Sequence, residues 1–175
     1  MPRLWLMTDE RVDDETLLTA IRRLPQGSGI IFRHYTLPTN KRRLLFARVR
    51  AIAQRRRLVL LLAGPEEIAL AWKADGFHGR SSRKCRHARL IHTAPAHDVP
   101  ELRKAERTNA DLLFISPVFP TRSHPNGRTL GPLRFGLLRQ QTPKVVIALG
   151  GINRRRAKRL RGLGADGWAA IDALT

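Results

Sequence analysis

"LVLLLAGPEEIALAWKADGFHG", residues 58–79, is the stretch that decides the fold. Leu58–Ala63 is an apolar run with no polar interruption. A strand with one face in water alternates apolar and polar residues. A strand covered on both faces reads as a continuous run, and such strands belong to parallel sheets covered by helices. Gly64 and Pro65 end the run, and Pro65 suits the first turn of a helix, where its missing N–H has no partner to lose. Glu66–Lys73 reads as that helix, and Gly76–Gly79 as the next strand. The stretch therefore spells strand, helix, strand.

The same alternation extends in both directions. Strands are expected at Leu4–Thr8, Gly29–Tyr35, Leu90–Ala94, Asp111–Phe119, Lys144–Gly150 and Gly167–Ile171. Helices are expected at Asp14–Leu24, Lys41–Arg56, Pro100–Thr108, Gly131–Gln140 and Arg154–Gly162. The acidic residues of "DDET" favour the start of the first helix, where the helix dipole is positive. Arg80–Arg89 is too charged and too short for a helix. Eight strands with helices between them predict a (β/α)8 TIM barrel, somewhat shortened, with residues 1–175 forming one domain. A doubly wound open sheet is the alternative, because 175 residues is short for a barrel. In both folds ligands bind beyond the carboxyl ends of the strands. No low-complexity segment, second domain or clear short repeat stands out.

At 42% hydrophobic residues the composition is that of a globular chain. No apolar run reaches membrane-spanning length, and the N-terminus has no signal-peptide pattern. One cysteine, Cys85, cannot form an internal disulfide. A cytoplasmic location follows as the expectation. The net charge of +19 is the unusual property. It spreads along the whole chain, with clusters at residues 55–57, 83–89 and 154–161. Without a nucleic-acid motif or aromatics interleaved with these clusters, nucleic acid is not the expected partner.

The sixth strand runs into a long connection within "FISPVFPTRSHPNGRTLGPLRF", residues 114–135. Thr121–Gly131 is polar and rich in Gly and Pro, and much longer than most connections. It leaves the ligand-binding end of the barrel, so it is read as a loop that closes over a ligand.

Four segments, in order, resemble one family. "SPVFPT" resembles the GPVFPT of thiamine phosphate synthases and the related thiazole tautomerases. "ADGFHG" (74–79), "VVIALGGIN" (145–153) and "GADGWAAIDAL" (164–174) are similar to their GADGVHLG, AIGGI and GADGVAVISA motifs. The resemblance implies a (β/α)8 barrel. It also implies a reaction in which hydroxymethylpyrimidine diphosphate loses pyrophosphate and a thiazole phosphate captures the cation, with Mg²⁺ neutralising the leaving group. Gly150 and Gly151 match the family's phosphate cup, where glycine lets backbone N–H groups approach a phosphate.

The chain departs from the family where the chemistry lies. The strand-two Arg-Glu-Lys run is here Arg33-His34-Tyr35. The Asn-Asp ending strand three is Ala63-Gly64, and Arg83 stands about where a second metal carboxylate would follow strand four. The Mg²⁺ expected from the family therefore has no ligands at these positions, and no metal site is assigned. His124 replaces the lysine of the strand-six loop, Asp172 replaces the serine beside Ile171, and Pro117 stands where the tautomerases carry histidine. An aspartate facing a phosphate is repulsive unless protonated, paired or turned away. Five of the six histidines, His34, His78, His92, His97 and His124, lie at or just beyond expected strand ends, without a compact metal-binding spacing.

The expected site is thus a rim for anions. Arg33 and His124 are the catalytic candidates, contacting diphosphate. Thr121, Arg122, Gly150, Gly151, Ile171 and Asp172 are the candidates for substrate and phosphate binding. The expected partner is a phosphorylated small molecule, with a homodimer as a possible assembly and no membrane. Three functions stay open: a thiamine phosphate synthase or a divergent form of it, a catalytically degenerate paralogue binding a phosphorylated metabolite, and a polyanion-binding protein.

Overall fold

The computed structural model describes residues 1–122 and 127–175. Its strands are β1 (Leu4–Met7), β2 (Gly29–Phe32), β3 (Val59–Ala63), β4 (Gly76–His78), β5 (Ile91–Ala96), β6 (Leu112–Ile115), β7 (Val145–Ala148) and β8 (Gly167–Ala170). Its helices are α1 (Asp14–Arg23), α2 (Thr39–Arg56), α3 (Glu66–Ala71), α4 (Val99–Arg107), α5 (Gly131–Gln140) and α6 (Arg154–Arg161). The strands are parallel and follow chain order around a closed barrel, with Leu4 to Leu6 of β1 opposite Trp168 to Ala170 of β8. Closure excludes the open doubly wound sheet. No helix lies between β4 and β5, as the charged segment Arg80–Arg89 suggested.

Several strands end elsewhere than the apolar runs do. β2 stops at Phe32, short of Tyr35, because His34 takes a left-handed backbone conformation (φ 43°) that no strand accommodates. β6 stops at Ile115, before the cis Ser116–Pro117 bond, and not at Phe119. β5 runs on past Ala94 to Ala96, with Pro95 inside it. The carbonyls of His92 and Ala96 accept from Asp111 and Ser116 on the β6 side, whereas that of Thr93 accepts from Gly79 on the β4 side. Pro95, two residues after Thr93, thus faces the β4 side beyond the last residue of β4, where its missing N–H breaks no ladder bond.

Three apolar clusters hold the barrel. Two lie between the strands and the helices, one under α1 and α2 and the other under α4, α5 and α6. The third fills the inside with Trp5, Met7, Ile31, Leu61, Leu112, Phe114 and Ile147 among others. Trp5 is fully buried, and a Cβ on Gly29 would come within 2.2 Å of its ring, so only glycine fits beside it. The Trp5 and Phe114 rings meet edge to face at 5.5 Å, and Phe114 meets His78 in the same way at 5.1 Å. This column of rings carries the core up to His78, which lies at the base of the open end.

The structure also shows a repeat that the sequence reading missed. Asp75, Asp111 and Asp166 immediately precede or abut β4, β6 and β8, and each follows an alanine. Their carboxylates accept from the amides of Leu60, His92 and Val146 at 2.8–2.9 Å. Their own amides donate to the carbonyls of the same three residues. β4, β6 and β8 are therefore each clamped to the preceding strand by both groups of one aspartate. A residue with positive φ, Lys73, Asn109 or Gly164, stands two positions before each aspartate and turns the chain out of the preceding helix.

Candidate functional site

A cavity of about 680 Å³ opens at the carboxyl ends of the strands. Met7 and His78 form part of its floor, and the segments after β2, β6, β7 and β8 its walls. All the expected site residues that the structure describes line it: Arg33, Thr121, Arg122, Gly150, Gly151, Ile171 and Asp172. His124 lies outside the described residues.

The glycine pair is required on steric grounds. Gly150 and Gly151 have φ of 97° and 61°. A Cβ on Gly150 would sit 2.6 Å from Cα of Pro117, and one on Gly151 2.3 Å from the carbonyl oxygen of Pro120. The turn after β7 thus lies directly against the chain leaving β6, joined to it by bonds from the Val118 and Phe119 amides to the Leu149 and Gly150 carbonyls. Among the described residues the N–H groups of Gly150, Gly151, Asp172 and Ala173 find no acceptor. Helix α6 begins beside this turn, with the Asn153 side chain accepting from the Arg156 amide as its cap.

Arg156 was not singled out in the sequence, where it is one of a run of basic residues. Being three positions after the cap places it on the cavity wall. Its guanidinium donates to the Gly151 carbonyl at 2.5 Å and lies 4.7 Å from the centre of the Phe119 ring. Arg128, across the loop, also lines the cavity.

Arg33 is anchored. Its Nε donates to the Thr8 carbonyl at 2.6 Å and its Nη2 to Asp9 at 2.7 Å. Asp9 also accepts from the backbone and side chain of Arg11. Burial would raise the Asp9 carboxyl, but the hydrogen bonds from Arg11 and the charges of Arg33 and Arg11 outweigh it, and the pKa falls below its ordinary value. Arg11 reaches Asp172 as well, at 3.8 Å. A chain of alternating charge, Arg33–Asp9–Arg11–Asp172, therefore runs along the β2–β1–β8 side of the mouth. The aspartate expected to repel a phosphate is paired. Nothing in the sequence signalled Arg11, because the pairing joins the loop after β1 to the turn after β8.

The histidines do not form one cluster. His34 is buried with its ring stacked on Phe32 and its Nδ1 2.9 Å from the Thr8 hydroxyl. His92 is buried against Phe77, behind the barrel wall. His78 faces the cavity, with Nδ1 2.9 Å from the Thr93 hydroxyl. Burial, reinforced by the charge of Arg33, pushes its pKa down to about 3, so it is neutral near pH 7. His97 lines the cavity with Nδ1 2.5 Å from the Ser116 carbonyl oxygen. A carbonyl only accepts, so this Nδ1 carries a proton and Nε2 is the remaining nitrogen.

The donors at the mouth do not fit a Mg²⁺ ion. β3 ends in Ala63 and Gly64, and β4 runs into Gly79 and Arg80. Both oxygens of Asp9 are engaged by arginines, and both oxygens of Glu10 by Thr36. Among the described residues no three His, Cys, Asp or Glu side chains converge as a metal-binding group. Where β3 would present a carboxylate, the guanidinium of Arg42 from α2 donates to the carbonyls of Arg33 and Ala63, packed near the rings of Phe32, Tyr35 and Trp72.

The sequence profile described as thiamine monophosphate synthase matches residues 4–174. This chain belongs to the thiamine monophosphate synthase family. A relative from Aquifex aeolicus is 30% identical over 98% of this chain and 96% of its own length. A thiamine-phosphate synthase of Methanobrevibacter smithii is 28% identical over 98% of this chain and 86% of that one. Among solved structures, thiamine phosphate pyrophosphorylase from Pyrococcus furiosus superposes with a TM-score of 0.82 at 27% identity, covering 98% of this chain and 86% of that one. The thiamine monophosphate synthase fold expected from the four motifs is thus the fold observed. No helix among the described residues is long and apolar enough to cross a membrane.

Proposed function

We propose that this protein acts in thiamine biosynthesis, joining hydroxymethylpyrimidine diphosphate to thiazole phosphate and releasing pyrophosphate. The observation that carries this reading is the turn at Gly150 and Gly151, which faces the cavity with unengaged N–H groups beside the start of α6. Such a turn suits a phosphate. The thiazole phosphate is assigned to this turn and to the one at Ile171 and Asp172. The Asp172 charge is offset there by Arg11. The diphosphate is assigned to the β2 and β6 side, with Arg33, Arg122 and His124 as its contacts and Thr121 positioning the ligand. The paired Asp172 removes the main objection that the sequence raised against a working phosphate cup.

In the reaction the bond from the pyrimidine methylene carbon to the diphosphate oxygen breaks, and its electron pair leaves with pyrophosphate. The thiazole nitrogen then donates its lone pair to that carbon, forming the new C–N bond. No proton is transferred in this exchange. The protein's part is to hold the two substrates face to face and to stabilise negative charge growing on the leaving oxygen. Fixed arginines do this best in a site from which water is excluded. The test is incubation of the purified protein with both substrates and detection of thiamine phosphate by mass spectrometry. Product above the level of the protein-free control is expected. Its absence, with both substrates shown to bind, would overturn the synthase reading.

A further inference from the structure

We propose that the diphosphate half of this cavity binds its ligand free of divalent metal, with arginine side chains supplying the charge that a metal would bring. The inference rests on the functional reading above for the identity of the ligand, and on the donor set of the cavity for the absence of metal.

Three observations point the same way. Among the described residues, carboxylates that could hold a metal ion are missing or engaged: the ends of β3 and β4 carry none, the oxygens of Asp9 and Glu10 accept hydrogen bonds, and Asp172, the carboxylate that lines the cavity, is paired with Arg11. A Mg²⁺ ion that brings a diphosphate to a protein needs one or two protein carboxylates to dock on. Cationic side chains, in contrast, converge from three elements: Arg33 after β2, Arg122 and Arg128 from the connection after β6, and Arg156 from α6. Among the described residues, Arg122, Arg128 and Arg156 form no ion pair with a carboxylate. The partners of Arg156 are a carbonyl and an aromatic ring, neither of which cancels its charge. Finally, Arg42 places a partly buried guanidinium against the carbonyls of Arg33 and Ala63, so that corner of the mouth holds a fixed cation already.

Arginine suits this task because its planar fork of donors matches phosphate oxygens and it stays charged at all physiological pH. Among the described residues, the cavity has several cations without a carboxylate partner and one paired carboxylate, which favours the bare, highly charged pyrophosphate anion over its magnesium complex. Metal should therefore compete with the protein for the ligand.

The experiment is calorimetric titration of the full chain with inorganic pyrophosphate, in EDTA and in excess Mg²⁺. Binding in EDTA is expected, weakened about threefold or more by Mg²⁺ as the metal sequesters the anion. Arg156→Gln and Arg122→Gln should each weaken binding in EDTA by about tenfold. Lys158→Gln combined with Arg159→Gln removes charge from the exposed, outer part of α6, away from the cavity, and should leave binding within about twofold. Binding seen only with Mg²⁺, or no binding in either condition, overturns the inference. So does an equal loss in the outer double variant, because the affinity would then belong to the net charge of the molecule. Turnover with both substrates, measured in parallel with EDTA and with Mg²⁺, separates the two proposals. Product formed only with Mg²⁺, with pyrophosphate binding also confined to Mg²⁺, keeps the synthase reading and overturns the inference. Pyrophosphate bound in EDTA without product in either condition does the reverse.

Discussion

Gly151 has a structural duty and a proposed ligand duty at once, and a single substitution tests both. In Gly151→Ala the new methyl would press on the Pro120 carbonyl, in a backbone conformation that L-residues adopt at a cost. The turn after β7 must then move away from the β6 connection, taking its amides with it. Thiazole phosphate affinity should fall by about tenfold or more, with a loss of stability of about 1–2 kcal/mol. Calorimetry and thermal unfolding read the two effects separately. Asp172 makes the opposite prediction. Asp172→Ser removes a carboxylate from the cavity and should tighten phosphate binding severalfold, whereas Arg11→Gln leaves Asp172 unpaired and should weaken it. At this scale the sequence was informative where a residue's role is local. The glycine pair and Arg33 could be read from motifs. Arg11 and Arg156 could not, because one acts through a pairing across the barrel seam and the other is hidden among identical neighbours.

Among the elements, the Ala-Asp clamps explain how short strands hold register. Each of β4, β6 and β8 has only three or four residues. An aspartate that engages the strand before it through both its carboxylate and its amide adds a fixed point to each pair. Asp111→Ala should cost about 1–3 kcal/mol, since the His92 amide loses its acceptor in a partly buried position. Asp111→Asn should recover most of that loss, because the amide side chain still offers an oxygen. Urea unfolding distinguishes the two. Element types were legible from apolar runs and breakers, but ends were not. β2 ends early through the backbone conformation of His34, which no apolar pattern reports. β5 passes through Pro95 because β4 is too short to need the missing N–H, and the length of a neighbouring strand is not a local property. The aspartates were likewise visible as letters. Their meaning appears only once consecutive strands are seen to lie side by side.

For the molecule as a whole, eight apolar runs separated by amphipathic stretches pointed to a barrel with an open doubly wound sheet as the alternative, and the pairing of the first strand with the last decides for the barrel. The response to acid also belongs to this scale. Burial pushes His34, His78 and His92 below the ordinary histidine value of 6.5, His78 to about 3. The unfolded chain takes up protons at these sites near pH 6.5, and the native barrel resists doing so. Stability is therefore full above about pH 7 and falls as the pH drops through 6.5 toward the depressed values. By about pH 5 the His78 contribution alone is a loss of about 2 kcal/mol. The Glu66 carboxyl, held at about 2 by hydrogen bonds from His87 and Cys85 in spite of burial, affects stability only below its ordinary value of 4.5. Urea unfolding at about pH 7 and about pH 5 should show the fall in the native protein and a smaller one in His78→Asn.

The connection after β6 is tied at its neck. The amides of Leu130 and Gly131 donate to the carbonyls of Pro117 and Val118, and those of Val118 and Phe119 to the turn after β7. The chain thus returns to the barrel at the point where it left, whatever length lies between. Residues 121–129 can then be lengthened, shortened or exchanged without altering the register of β6 or the start of α5. The protein has a place where new ligand preferences could be grafted by replacing one segment, with the barrel beneath left as it is.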